Sequence, residues 1–338
     1  MKQKQRAGGK TGIAAALVAV AAMFSAVLAF GYNPFQDNLG TIDSPIPVIA
    51  FWNSVPVEWL LNPDTPNGNV SEPGCQAGSP GTCIQLELSN GFSTWTSAQV
   101  PINGTPQSLT NVTVSYSGTS TLTGPAFDDC QNVVGFSDTT SGDFSTGTIA
   151  FTQVATATRP SNVQSGTSFT YTCRNGSSKT CDFDDCIADA DIEFNPSVNF
   201  TTSLTPPANT FNLQSVATHE EGHLLGLDHS GIGHTVMFPF GDSTVAHQQT
   251  TLATDDAVGI SFLYPSSNYL SSTGAISGTV NLSGSGVFGA HVVAVNANTG
   301  NAVIDGITAA NGAYTLDGVP PGNYYVLALP FSPNADSG

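Results

Sequence analysis

Positive charge is almost missing from this chain. Seven Lys and Arg stand against 25 Asp and Glu, and four of the seven (Lys2, Lys4, Arg6, Lys10) fall in the first ten positions. Only Arg159, Arg174 and Lys179 lie beyond them. Without the first 29 residues the balance is three basic against 25 acidic, a net charge of −22. Nucleic acid and anionic membrane surfaces are bound through clustered cations, so this balance argues against both as partners. Cys-x-x-Cys is absent, which leaves a redox pair or a zinc ribbon without support among the six cysteines. After residue 29 no apolar run is long enough to span a bilayer. Histidine is scarce: there are six in 338 residues, and none precedes His219.

The four basic residues at the start precede an apolar stretch from Ile13 to Ala29 that ends Val27-Leu28-Ala29. A basic start, an apolar centre and small residues at the end describe a secretory signal peptide at 1–29. An uncleaved anchor is the rival, because the apolar run is slightly long. Cleavage implies a secreted, extracellular protein with no stable membrane insertion. Export also implies an oxidising compartment, and the cysteines are even in number: Cys75, Cys83, Cys130, Cys173, Cys181 and Cys186. Six cysteines allow 15 pairings. Cys75–Cys83 and Cys173–Cys181 would each close a short Gly/Ser-rich loop, leaving Cys130–Cys186, and that set is the expectation.

Three of the six histidines fall in one stretch, His219-Glu220-Glu221-Gly222-His223-Leu224-Leu225-Gly226-Leu227-Asp228-His229. The preceding residues 212–218 contain no Pro or Gly and suit a helix. On a helix, positions i and i+4 share a face, so His219 and His223 point the same way, as two ligands of one metal must. Glu220 is turned about 100° from His219 and can reach a metal-bound water without ligating the metal. Gly226 can take a left-handed conformation and end the helix, letting the chain return His229 to the same ion. Three neutral imidazoles and an open fourth position describe a catalytic zinc site rather than a closed structural one. Zinc would polarise a scissile carbonyl and lower the pKa of its water to about 7. Glu220 would accept the water's proton and pass it to the leaving amine.

The full pattern H-E-x-x-H-x-x-G-x-x-H resembles that of the metzincin metallopeptidases. Ser230 after the third His, the spacing to Met237 and the following Phe238-Pro239 are similar to the matrixin branch, which implies a Met-turn with Met237 as a packing floor under the metal. Residues 255–265 (Asp-Asp-Ala-Val-Gly-Ile-Ser-Phe-Leu-Tyr-Pro) resemble the last helix of a matrixin catalytic domain, and residues 188–195 resemble its fourth strand. The resemblance implies that Asp255 or Asp256 braces the Met-turn and that a sheet-edge strand beside the zinc binds substrate backbone. It further implies structural calcium near the acidic residues 182–193, where hard carboxylate oxygens are available. Two family features have no counterpart here. No Pro-Arg-Cys-Gly-like segment is present to place a thiolate on the metal, and no upstream histidines exist for a second, structural zinc.

Strands are expected within 47–59, 111–116, 132–136, 147–157, 168–173 and 187–194, and a helix from about 210 to 225. Residues 83–100 are ambiguous. Ile84, Leu86 and Leu88 alternate like a strand, whereas the resemblance places the first matrixin helix there. His234 is assigned to a surface loop, and His247 to the stretch that walls the family's specificity pocket. After a polar linker at 266–273 the composition shifts to short alternating runs separated by Gly, Asn and Pro turns, the pattern of an antiparallel sandwich. It resembles the transthyretin-like regulatory module of carboxypeptidases.

The expected fold is therefore α+β. A signal peptide (1–29) and lead-in (30–46) precede a metzincin catalytic domain (47–265), with a twisted mixed sheet, about three helices and a zinc cleft. The linker (266–273) leads to a small all-β sandwich (274–338). The expected function is that of a secreted, monomeric zinc endopeptidase acting on proteins or peptides. His219, His223 and His229 would hold one catalytic Zn²⁺, Glu220 would be the general base, and Ca²⁺ would be structural. The alternative is a non-catalytic secreted adhesin that retains the metal site; an intact Glu220 argues against it.

Overall fold

The computed structural model describes residues 36–38, 47–62, 70–71, 80–121, 126–136, 144, 147–240 and 249–330. The expected signal peptide, the lead-in apart from 36–38, Cys75 and His247 lie outside these residues.

Strands between residues 57 and 194 build one five-stranded sheet. Strand β1 (Val57–Leu61) is followed by helix α1 (Pro80–Thr96), then by strands β2 (Val114–Thr119), β3 (Val133–Phe136) and β4 (Ala150–Ala157). A hairpin of β5 (Phe169–Thr172) and β6 (Ser178–Cys181) leads into β7 (Cys186–Phe194). The spatial order is β2-β1-β3-β7-β4. The first four strands pair in parallel, and β4 lies antiparallel to β7 at the edge. Parallel neighbours need a crossover, and α1 supplies one between β1 and β2. All nine residues of β7 are buried. This strand contains residues 188–194; it is the fifth of the sheet along the chain and the fourth across it.

The ambiguity at 83–100 resolves as helix. Ile84, Leu88, Phe92 and Trp95 are buried at spacings of four, four and three, while Leu86 is 56% exposed. The apparent alternation was the start of a 3.6-residue period that continues through Trp95. Burying each of these side chains contributes on the order of 1.5–3 kcal/mol. Helix α2 (Leu213–Leu224) packs on α1, and Trp95 Nε1 donates to Thr218 O at 2.7 Å, which fixes how the two helices meet. Helix α3 (Thr254–Leu263) carries Asp255 and Asp256 in its first turn, where they favour the helix dipole.

Residues 274–330 form strands only. They are β8 (Gly274–Thr279), β9 (Ala290–Asn296), β10 (Ala302–Ile307), β11 (Ala313–Val319) and β12 (Tyr324–Pro330), with a small hairpin between β8 and β9. β8 pairs with β11, and β10-β9-β12 form a second antiparallel sheet. The stretch at 266–273 is less loose than its polarity suggests. It contains the helical turn α4 (Tyr269–Ser272), and Tyr269 is buried. A Cβ on Gly318 of β11 would stand 2.5 Å from both Tyr269 Oη and Val258 Cγ1, so strand and helix meet without a gap. Val292, Ile304, Leu316 and Val319 share one apolar core with Ala257, Val258 and Ile260 of α3.

The disulfides differ from the expected set. Cys130 bonds Cys173 and Cys181 bonds Cys186, with Cα separations of 5.8 and 5.9 Å. The hairpin explains why Cys173 and Cys181 are apart. Phe169 pairs with Cys181 and Thr172 with Ser178, so Cys173 sits at the turn and Cys181 at the open end. Four residues of strand separate those levels by about 13 Å, beyond the roughly 7 Å limit for a disulfide. The expected Cys75–Cys83 pair falls partly outside the described residues.

Candidate active site

Helix α2 begins at Asn212, whose Oδ1 accepts from Ser215 N at 2.8 Å and satisfies one of the free amides of the first turn. Its far end is closed by other parts of the chain. Trp52 Nε1 donates to Leu224 O at 2.8 Å, and Tyr264 Oη donates to Leu225 O at 2.8 Å. The terminal carbonyls are thereby satisfied where water is excluded. Gly226 follows at φ +103°, and its N–H bonds His223 O at 2.9 Å. A Cβ there would stand 2.5 Å from Ala50 O, so both conformation and space require glycine.

His219, His223 and His229 come together, with one ligand atom from each lying within 4.8 Å of the others. Carbonyls only accept, so the short contacts from His219 Nδ1 to Val236 O (2.6 Å) and from His223 Nδ1 to Leu227 O (2.7 Å) place the proton on Nδ1. In those two rings Nε2 then carries the lone pair, and it faces the Nε2 atoms of the neighbouring histidines. His223 Nε2 is 3.2 Å from His219 Nε2 and 3.3 Å from His229 Nε2. Two nitrogens about 2.0–2.1 Å from one tetrahedral zinc stand about 3.3 Å apart, so the spacing fits that ion. Burial pushes His219 down to about 4 and His229 to about 3, and pushes His223 well below its ordinary value. All three imidazoles are therefore neutral at physiological pH, the form in which histidine can bind a metal.

Glu220 lies beside them, buried, its Oε2 accepting from Thr152 Oγ1 at 2.7 Å. Thr152 belongs to β4, the edge strand, which pairs with no strand but β7 among the described residues. Burial raises Glu220 to about 7, and the Thr152 hydrogen bond acts in the opposite direction. A base poised near neutrality suits proton transfer. No feature of the sequence singled out Thr152.

Met237 is buried against α2, where a Cβ at Gly222 would collide with its sulfur and with Trp95. Asp256 braces this turn. Its carboxylate accepts from Val236 N (2.9 Å), Met237 N (3.1 Å) and Ala253 N (2.8 Å). Gln249 adds bonds to Thr235 O and Phe238 O, a role the sequence did not signal. His234 is exposed in the loop at φ +71°, as expected.

The acidic residues at 182–193 divide into two groups. Asp182 and Asp184 tie loops together, accepting from Ser168 Oγ and Arg159 N. Asp189 and Asp191 turn from β7 toward the loop at 128–133, where they accept from Asp128 N and Val133 N. Asp189 Oδ1 and Asp191 Oδ2 are buried without a hydrogen-bond partner. Burial raises Asp189 to about 6 and Asp191 to about 9. Among the described residues no three carboxylates bring ligand atoms together as the histidines do.

A family model described as Matrixin matches residues 79–265, more than half of the chain. Metalloendoproteinase 2-MMP of Arabidopsis thaliana is 45% identical over 53 residues, 16% of this chain and 14% of that protein. Metalloendoproteinase 5-MMP of the same plant is 45% identical over 64 residues, 18% and 16% of the two chains. Metalloendoproteinase 1 of Glycine max is 42% identical over 79 residues, 23% and 25%. The chain thus spans a quarter or less of the length of these curated relatives.

Proposed function

Because the chain belongs to the matrixin family, we propose that it is a secreted zinc endopeptidase that hydrolyses peptide bonds within proteins. One observation carries this reading: three neutral imidazole nitrogens converge at tetrahedral zinc spacing with a buried carboxylate alongside. Zinc held there would supply Lewis acidity toward the scissile carbonyl and toward water. His219, His223 and His229 would hold the ion. Glu220 takes the proton of the attacking water and delivers it to the leaving nitrogen. Thr152 holds the Glu220 carboxylate in place. The edge of β4, which has no strand neighbour beyond it among the described residues, would offer its backbone to an extended substrate as an added strand. The partners are then a protein or peptide substrate and one Zn²⁺, with the chain acting as a monomer. The two disulfides fit export to an oxidising compartment. We read 274–338 as an accessory sandwich of the carboxypeptidase regulatory kind.

Calcium beside Asp189 and Asp191 is a further part of the reading, favoured by their two unpartnered buried oxygens.

The test uses the secreted protein. Casein cleavage and bound zinc are measured for the wild type and for Glu220→Ala. Loss of cleavage in the variant with zinc retained is the expected result. Zinc bound in both proteins without cleavage of any substrate by the wild type would favour the adhesin. A folded wild-type protein without zinc would overturn the proposal.

A further inference from the structure

We propose that Asp305, on β10 of the C-terminal strands, is a positioning residue for the metal site: it clamps the loop that carries the third histidine. This inference rests on the zinc-peptidase reading. Ser230 and Gly231 immediately follow His229, and the chain has no regular secondary structure from there to Met237. Its position therefore depends on side chains that reach it from elsewhere. Asp305 Oδ2 accepts from Gly231 N at 2.8 Å, and Oδ1 lies 3.4 Å from Ser230 Oγ. The same Oδ2 meets His291 Nε2 of β9 at 2.5 Å, which sets the carboxylate's orientation. The backbone N–H of Asp305 donates to Asp255 Oδ1 at 3.2 Å, tying the same residue to α3. Asp305 is only 1% exposed, so its carboxylate makes these bonds largely shielded from water.

Gly231 supplies independent support. A Cβ at this position would stand 2.6 Å from His291 Nε2 and 2.8 Å from Asp305 Oδ2. The clamp occupies the space that any side chain at 231 would need. The clamp is also rigidly mounted, because Ile304 beside it belongs to the core shared with α3. Asp256 on the same helix holds Val236 and Met237, and Ser230 N donates to Met237 O at 2.8 Å. The loop after His229 is thus pinned from α3 at one end and from beyond residue 273 at the other. Groups that orient a metal ligand through hydrogen bonds change metal affinity as well as stability.

The experiment uses the full zinc-loaded chain and the variants Asp305→Ala, Asp305→Asn and Gly231→Ala, with a double variant of Asp305→Ala and Gly231→Ala. Zinc affinity by chelator competition, the visible spectrum of the cobalt-substituted protein, kcat, KM and Tm are measured for each. Asp305→Ala is expected to weaken zinc binding about tenfold, to alter the cobalt spectrum, and to lower kcat while KM stays within about twofold. Asp305→Asn keeps an acceptor for Gly231 N–H and recovers part of the loss. The double variant loses no more than the worse single one, because both break the same contact. A lower Tm with zinc affinity, cobalt spectrum and kcat unchanged would show a purely structural residue and overturn the proposal. If Asp305→Ala does not fold, Gly231→Ala perturbs the contact from the catalytic side, and wild-type zinc affinity there overturns it equally. A wild-type protein without zinc overturns this proposal and the peptidase reading together. Zinc bound without cleavage overturns the peptidase reading alone and leaves affinity and spectrum to decide the clamp.

Discussion

Thr152→Val is the substitution that most directly tests how Glu220 is tuned. Valine has nearly the shape of threonine, so the edge strand keeps its packing while the hydroxyl is lost. In the wild type Thr152 Oγ1 stands 2.7 Å from Glu220 Oε2, and the bond favours the ionised carboxylate. A hydrogen bond to a charged group contributes about 1.5–3 kcal/mol. One pKa unit corresponds to about 1.4 kcal/mol, so Glu220 should rise by about one to two units. In the proposed mechanism Glu220 must be deprotonated to accept the water's proton, so the acidic limb of kcat/KM should move to higher pH by the same amount. A nearby cation lowers the Glu220 pKa in both proteins, which leaves the difference between them in place. The assay is kcat/KM on a fluorogenic peptide from pH 5 to 9. Well below the limb the variant should be about 10- to 100-fold slower, and above it nearly equal to the wild type. An acidic limb at the same pH in both proteins would refute the role assigned to Thr152. A uniform loss at every pH would mean that the hydroxyl positions something other than the proton equilibrium of Glu220.

Gly226→Ala combines a left-handed backbone with a collision against the Ala50 carbonyl, and should cost roughly 2–4 kcal/mol in urea unfolding while weakening zinc binding; a loss under about 0.5 kcal/mol would contradict this. Asp189 and Asp191 are both raised by burial, to about 6 and about 9, so the folded chain binds their protons more tightly than the unfolded chain. Their contribution to stability is therefore full below about pH 4 and is lost as pH rises toward 9. In chelator, Tm should fall across that window. Calcium should restore it at pH 8 and do little at pH 5. A calcium effect that is absent, or equal at both pH values, would remove the calcium reading.

The histidine cluster was legible because its three members lie within eleven consecutive residues and helix geometry fixes two of them. Nothing beyond local rules was needed to bring His219 and His223 onto one face, or to see that Gly226 would turn the chain. Asp256 was legible only as one of a pair, and its three backbone bonds to 236, 237 and 253 decide between them. Thr152, Gln249 and Asp305 were not legible. Each reaches the site from a strand or loop many residues away, and an isolated Thr, Gln or Asp carries no periodicity that marks it. The signal at Ile84, Leu86 and Leu88 was real but too short, since three alternating residues satisfy a strand and the first turn of a helix equally. Cysteine pairing failed for a related reason. Loop length favoured Cys173 with Cys181, but the register of β5 against β6 puts them at opposite ends of the hairpin. That register is set by tertiary pairing and cannot be counted along the chain.

Glu221 occupies a position that the metal-binding pattern leaves free, yet it is fully buried, with neither carboxylate oxygen hydrogen-bonded and its pKa pushed well above the ordinary range. It fits because Gly91 on α1 has no side chain; a Cβ there would overlap the carboxylate. The two positions lie on separate helices and form one steric lock. Their histories are therefore bound together. A lineage that enlarges residue 91 must first shrink residue 221, and one that shrinks 221 opens a hole that selection can refill from either helix. Relatives of this chain should accordingly show anticorrelated side-chain volumes at these two sites, a record of helix packing written in paired substitutions rather than in the zinc ligands.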